Sequence, residues 1–281
     1  MQLRCVSQNI QYGAWSQGRW PVHVEHLLAL DTDLVLLQEV PELASDAVRE
    51  KAETDLGMRI AVSPTGFTEG CLNAAIAWRQ SLTVEGIDVR YSRKLHHGYI
   101  GAHIGLDRDD GVPLTVISTH LDPTSATSAA QEAQQLVQRV WRTGGIGLIA
   151  GDINHMPLGD PEPPWEQIHP HNRASRCLPR ASPGDEWRGN RIVGQVLMGG
   201  DLTDVAAHAA ERASTPQERD ELLQMTGTHG RIRVDQIHAT PALVPAISGY
   251  RVISTDASDH RGIVWDLDLD LVEVGALREF H

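Results

Sequence analysis

The sequence is poor in cysteine, lysine and aromatic residues, and it has no long hydrophobic run. Its three cysteines, Cys5, Cys71 and Cys177, are odd in number, widely spaced and without a Cys-x-x-Cys pair. That argues against a disulfide framework or a structural zinc site, and it makes a reducing cytoplasm the expected compartment. Cys5 and Cys71 read as small core residues. No stretch approaches the roughly 20 apolar residues of a membrane span. The opening Met1-Gln2-Leu3-Arg4-Cys5-Val6-Ser7 lacks the apolar segment and cleavage site of a secretory signal. No membrane partner and no obligate protein partner are therefore expected. A net charge of −13 argues against coating nucleic acid along a broad basic face, but leaves open an enzyme that grips a short piece of it. Acidic residues concentrated in a metal site are compatible with the same charge, because the cation reverses the local field.

What is present is enough for a substantial core: 41% of the 281 residues are hydrophobic. Length alone leaves one large domain or two small ones open. There is no internal repeat. Short apolar runs alternate with helical patterns, predicting strands over 3–10, 33–40, 74–78, 82–89, 101–106, 114–119, 147–150, 232–239 and 262–269. Helices are predicted over 22–30, after Pro21, and over 44–56 and 128–141. In the last strand Ile263, Trp265, Leu267 and Leu269 alternate, which suits one buried face. The segment 157–191 differs. It holds Pro157, Pro161, Pro163, Pro164, Pro170, Pro179 and Pro183, the tryptophans Trp165 and Trp187, and Arg173, Arg176, Arg180, Arg188 and Arg191. So many prolines predict mostly irregular backbone, and a long loop within a compact fold is commonly functional.

Polar residues recur where predicted strands end: Asn9, Glu39, His120, Asp152 with Asn154, and Asp235, while Asp259 and His260 precede the last strand. Strand ends are where a rigid sheet presents chemistry. Carboxylates, amides and histidines without cysteine form a hard donor set that suits Mg²⁺ or Mn²⁺. Phosphoryl transfer needs such an ion to neutralise charge and a base to orient water. Each residue alone has a plainer reading: Asn9, Asp152 and Asn154 as turn formers, Glu39 as a solvated strand end, Asp259-His260 as a helix cap.

Their joint order decides otherwise. Ser7-Gln8-Asn9-Ile10, Leu37-Gln38-Glu39-Val40, Ser118-Thr119-His120-Leu121, Gly151-Asp152-Ile153-Asn154, Val234-Asp235-Gln236-Ile237 and Ser258-Asp259-His260 follow one another along nearly the whole chain. In this the sequence resembles the endonuclease/exonuclease/phosphatase superfamily. The resemblance implies an α/β four-layer α-β-β-α sandwich with two packed mixed β-sheets, spanning 1–281 as a single domain. It also implies roles: Glu39 as main metal ligand with Asn9 and Asp259 nearby, and Asp152 as the residue that orients or deprotonates the attacking water. Asn154 would hold that water or the phosphate. His260 would contact phosphate oxygens, with Asp235 fixing its tautomer, and His120 would be a second phosphate contact or leaving-group acid.

Two departures matter. Gln11 stands where abasic-site endonucleases of the family carry an acidic residue, and His120 stands where they carry Tyr, so abasic-site repair ranks low. Asp204, often acidic in the family, reads as structural. His96, His97, His155, His169, His171 and His229 form no His-x-x-x-His pair and read as ordinary histidines, His155 having the strongest claim to line the site. In the Arg-rich loop, Arg173 and Arg176 are candidates to clamp phosphate and Trp165 or Trp187 to stack on a base. The expected activity is a Mg²⁺-dependent phosphoesterase acting by in-line water attack on a phosphorylated small molecule or nucleotide. A nuclease acting on nucleic-acid ends or single strands is the alternative. A lipid phosphodiesterase ranks third, since no membrane-docking segment is present. A non-catalytic binding module would have lost Asp152, Glu39 or His260, and all are present.

Overall fold

The computed structural model describes residues 1–228 and 230–278. Among the described residues twelve strands form two six-stranded sheets. In chain order they are β1 (Gln2–Asn9), β2 (Leu34–Gln38), β3 (Met58–Val62), β4 (Ala74–Arg79), β5 (Val84–Asp88) and β6 (Tyr99–Ile104). They continue with β7 (Leu114–His120), β8 (Gly147–Asp152), β9 (Thr203–Asp204), β10 (Asp235–Ala239), β11 (Ile247–Ile253) and β12 (Gly262–Asp268). The first sheet runs β11-β12-β1-β2-β4-β3 and the second β5-β6-β7-β8-β10-β9. Each is mixed, because β1 and β2 pair in parallel, as do β7 and β8, while every other pairing is antiparallel. This is the α/β two-sheet sandwich expected.

The two-residue period of a strand explains the layering. In β2, Leu34 and Leu36 enter the core between the sheets, where they join Leu3, Cys5, Ile76, Val116, Leu148, Ile237 and Trp265. Val35 and Leu37 point the other way, toward Leu27 of α1 (Trp20–Ala29) and Ala52 and Leu56 of α2 (Asp46–Leu56). On the far face of the second sheet, Ile117 and Ile149 pack against Ala133 and Leu136 of α3 (Ala126–Trp141). Both faces of the central strands are covered, so they read as continuous apolar runs.

The predicted strands and helices are present with ends shifted by a few residues, the largest shift being at β10, which starts at Asp235 rather than at 232. The strands β3, β9 and β11 escaped the sequence reading. Edge strands such as these bury only part of one face, and their patterns are correspondingly weak. The segment 157–191 is more ordered than its prolines suggest. It contains α4 (Pro170–Arg176), begun by a proline whose missing N–H is unneeded in a first turn. Its end is closed by a bridge between Cys177 and Gly189. Three helices follow that were not foreseen: α5 (Ile192–Gly199), α6 (Val205–Glu211) and α7 (Pro216–Leu222). No helix among the described residues is long and apolar enough to cross a membrane.

Candidate active site

The parallel pairs β1–β2 and β7–β8 fix the site. Parallel strands end together, and their registers set Asn9 beside Gln38 and His120 beside Asp152. The antiparallel β8–β10 register sets Asp235 beside Asp152. Beneath these residues, Gln38 Nε2 donates to Ser7 Oγ (3.2 Å) and to Ser118 Oγ (3.2 Å), a buried polar tie between the two sheets. Close strand approach also explains Gly151: a Cβ there would lie 1.9 Å from the Thr119 carbonyl oxygen, at φ +143°.

Asp152 is the centre. It is 1% exposed. Its Oδ2 accepts from Asn9 Nδ2 (3.1 Å) and faces His120 Nε2 (3.5 Å) and His260 Nε2 (3.7 Å), while Oδ1 accepts from the Asn154 N–H (3.0 Å). Asn9 Nδ2 also donates to Glu39 Oε1 (2.9 Å), and the Tyr12 N–H donates to Glu39 Oε2 (2.6 Å). Glu39 and Asn154 sit at φ 60° and 61°, a left-handed conformation that costs energy for non-glycine residues and that the surrounding bonds sustain. His260 Nδ1 pairs with Asp235 Oδ2 at 2.9 Å.

Burial raises the Glu39 carboxyl above its usual value, the Asn9 and Tyr12 hydrogen bonds lower it, and Asp152 raises it again. For His260, burial favours the neutral ring, but Asp235 and Asp152 outweigh it and lift the imidazole to about 10. Burial pushes Asp235 up and the neighbouring imidazolium pulls it back. At neutral pH His260 is an imidazolium paired with Asp235. His120 is held well below its ordinary value by burial and by His260 and His96, so it stays neutral. One end of the sandwich therefore presents buried carboxylates beside one positive ring.

Ligand atoms of Glu39, His120 and Asp152 lie within 4.8 Å of one another, as do those of Asp152, Asp235 and His260. The donor set fits a divalent cation: Glu39 and Asp152 crowd around one neutral amide, and an ion between them would offset their repulsion. Asn9 lies between these carboxylates as a hydrogen-bond donor, with its Oδ1 accepting from the Gln11 N–H (2.9 Å). Asp259 is half-buried and stands outside both converging groups among the described residues.

Two substrate-binding expectations need correction. Trp165 is 3% exposed, packs with Met156, Ile168 and Cys177, and donates its indole N–H to Glu162 (2.6 Å), so its ring offers no face to a base. Arg176 does reach the site, but as a brace. It is 9% exposed and donates to the Asn154 carbonyl (2.7 Å) and to Asn154 Oδ1 (3.1 Å). Arg173 lies one turn earlier in α4, with its guanidinium 4.9 Å from the Trp187 ring. Asp204 is structural as read, capping α6 and pairing with buried Arg233. His155 is fully buried, its ring bonded to the Asp122 carbonyl (2.9 Å). His229 lies outside the described residues.

Other site neighbours were missed. His97 packs its ring 4.1 Å from that of His120. Arg19 spans the loop carbonyls of Ile10, Gln11 and Ala257. His23 Nε2–H donates to the same Ala257 carbonyl (3.1 Å). Ser258 Oγ in turn donates to the Asn9 carbonyl (2.7 Å) and accepts from the His260 N–H (3.1 Å). Nothing in the sequence marks Arg19 or His23, because the partner they share, the Ala257 carbonyl, is distant along the chain.

No family model matches the sequence, and no curated protein matches it. Solved structures do. An endonuclease/exonuclease/phosphatase family protein from Bacteroides thetaiotaomicron superposes with a TM-score of 0.62 at 13% identity, covering 100% of this chain and 99% of that one. The AP endonuclease LMAP from Leishmania major gives 0.64 at 12% identity, over 95% and 87%. The D. rerio TDP2 structure, complexed with a single-strand DNA product, gives 0.59 at 15% identity, over 95% and 99%. The chain has the fold of the endonuclease/exonuclease/phosphatase superfamily. The residues gathered at one end of the sandwich come from both sheets, Asn9 and Glu39 from the first and His120, Asp152 and Asp235 from the second.

Proposed function

We propose that this protein is a divalent-metal-dependent hydrolase of phosphate esters, with 1–281 acting as one catalytic domain. The observation that carries the reading is Asp152, placed between the Glu39–Asn9 pair and the Asp235-supported ring of His260. Glu39, with Asp152 or His120, would hold Mg²⁺ or Mn²⁺; such an ion neutralises charge on a phosphoryl group. Asp152 orients a water and accepts its proton. The water then attacks phosphorus in line with the departing oxygen. His260, kept protonated by Asp235, binds the phosphate oxygens whose charge grows in the transition state. His120, held neutral beside the same carboxylate, is a second contact whose ring N–H can donate a hydrogen bond to a phosphate oxygen or the leaving oxygen, while the proton that leaves with that oxygen must come from elsewhere. Asn154, with one amide N–H donated to the Leu121 carbonyl (3.0 Å) and its oxygen held by Arg176, has a second amide hydrogen to offer the water or the phosphate.

Phosphorylated small molecules or nucleotides are the substrate class that fits a chain of net charge −13. A second reading, cleavage of nucleic-acid ends or single strands, is favoured by the likeness to TDP2 complexed with a single-strand DNA product. The cysteines are free, which suits action in a reducing cytoplasm. The test is hydrolysis of bis(p-nitrophenyl) phosphate, p-nitrophenyl phosphate and a single-stranded oligonucleotide with Mg²⁺ or Mn²⁺, each with a chelator control. Chelator-sensitive turnover that Asp152→Asn lowers by about 10²-fold or more supports the reading. Full activity in Asp152→Asn and His260→Ala would refute it. Steep loss of turnover with rising salt selects the nucleic-acid substrate over the small one.

A further inference from the structure

The segment that braces Asn154 also carries positive charge that the fold does not neutralise. Its shape follows from its sequence. Pro170 starts α4, and past the helix the chain turns out and back between Cys177 and Gly189. The return is clamped by Leu178 N–H to the Arg188 carbonyl (2.8 Å) and Asn190 N–H to the Arg176 carbonyl (2.7 Å). Trp187 lies on this loop with the Arg180 guanidinium 3.5 Å and the Arg173 guanidinium 4.9 Å from its ring centre. Cation–π contact holds a guanidinium in place without cancelling its charge. Arg180 otherwise donates to the carbonyls of Pro183 and Asp185 (3.0 Å each), and Arg173 to that of Trp165 (3.3 Å). Among the described residues, neither they nor Arg188 pairs with a carboxylate, whereas Arg191 of the same segment pairs with Glu162 (3.1 Å). Arg173, Cys177, Leu178, Pro179, Arg180 and Trp187 line a groove of about 460 Å³. Arg176, the brace on Asn154, lies in the chain between the lining residues Arg173 and Cys177.

We infer that this groove binds a second phosphate of the substrate, one beyond the phosphate being cleaved. The inference rests on the hydrolase reading and narrows it to substrates with more than one phosphate, whether a nucleotide chain or a free polyphosphate. Each of the two guanidiniums held at the Trp187 ring carries donors suited to phosphate oxygens. Locating them in an otherwise acidic protein gives a polyanion one favourable approach.

The test is the affinity of chelator-treated protein for 5′-phosphorylated tetrathymidylate and for tripolyphosphate, by titration calorimetry. The proteins are wild type, Arg180→Gln, Arg173→Gln/Arg180→Gln, and Arg59→Gln on exposed β3 as a charge control. Loss of a charge-assisted contact predicts roughly tenfold weaker binding per guanidinium, with Arg59→Gln close to wild type. Weakening with both probes assigns a phosphate-spacing site, and weakening with tetrathymidylate alone assigns a nucleotide chain. Arg180→Gln keeps the result readable should the double variant unfold, because Arg180 bonds only surface carbonyls. Unchanged affinity in Arg180→Gln, or an equal loss in Arg59→Gln, overturns the inference. Hydrolysis of bis(p-nitrophenyl) phosphate by the wild type is scored separately. Its absence sinks the hydrolase reading and leaves the binding comparison standing.

Discussion

His23 gives a quantitative handle on how α1 holds the site. It is 1% exposed, and its Nε2–H donates to the Ala257 carbonyl in the turn that leads to Asp259 and His260. Burial, then the charge of Arg19, lower its pKa to about 4, against the partial opposition of the Ala257 bond. The unfolded chain has the ordinary value of about 6.5. Between those values the unfolded state binds a proton that the native state refuses. Stability therefore rises with pH across this window, is lost as pH falls from about 6.5 toward 4, and is level above it. Going from pH 7.5 to pH 5, this one group should cost the native state about 2 kcal/mol. His23→Gln keeps an amide N–H for Ala257 and removes the titration. Urea unfolding followed by tryptophan fluorescence at both pH values measures the effect. The variant is expected to be less stable at pH 7.5 through lost packing, with the gap to wild type closing by about 2 kcal/mol at pH 5. His97, His155 and His238, also held neutral by burial, titrate alike in both proteins and drop out of the difference. A gap that stays constant within about 0.5 kcal/mol would refute the assignment of a neutral, hydrogen-bonded His23.

The other predictions concern the braces around Asp152. Arg176→Gln should lower kcat about tenfold or more with little change in KM, because it frees Asn154 without removing a substrate contact; steady-state kinetics on bis(p-nitrophenyl) phosphate reads the split. Arg233, whose side chain is 1% exposed, pairs with Asp160 and Asp204 at 2.7 Å each. Arg233→Met should cost about 3–5 kcal/mol by denaturant unfolding, since it leaves two carboxylates without their partner. Gly151→Ala should cost about 3 kcal/mol or more, or prevent folding, as the added methyl meets the Thr119 carbonyl between the strands carrying His120 and Asp152; expression and thermal melts compare it with wild type.

The sequence by itself determined the strands other than β3, β9 and β11, and the identity of the residues at their ends. Leu34–Leu37 and Leu148–Ala150 are apolar without a break, and only a strand covered on both faces explains such runs. Asn9, Glu39, His120, Asp152, Asp235 and His260 were legible because hard-ligand and acid–base chemistry restricts residue type, and their order along the chain is itself information. What only the tertiary structure decided is how side chains share partners across long separations. The sequence could not say that Arg176 would spend its charge on Asn154, or that Trp165 would close a small core rather than meet a base. Nor could it show His97 packing on His120, or Arg19 and His23 meeting at one carbonyl. A strand's side chains alternate between its two faces every two residues, so local pattern reveals which face is buried. A buried arginine or tryptophan is placed by whatever unsatisfied oxygen or apolar gap the finished fold leaves within reach, and that is a property of three dimensions alone.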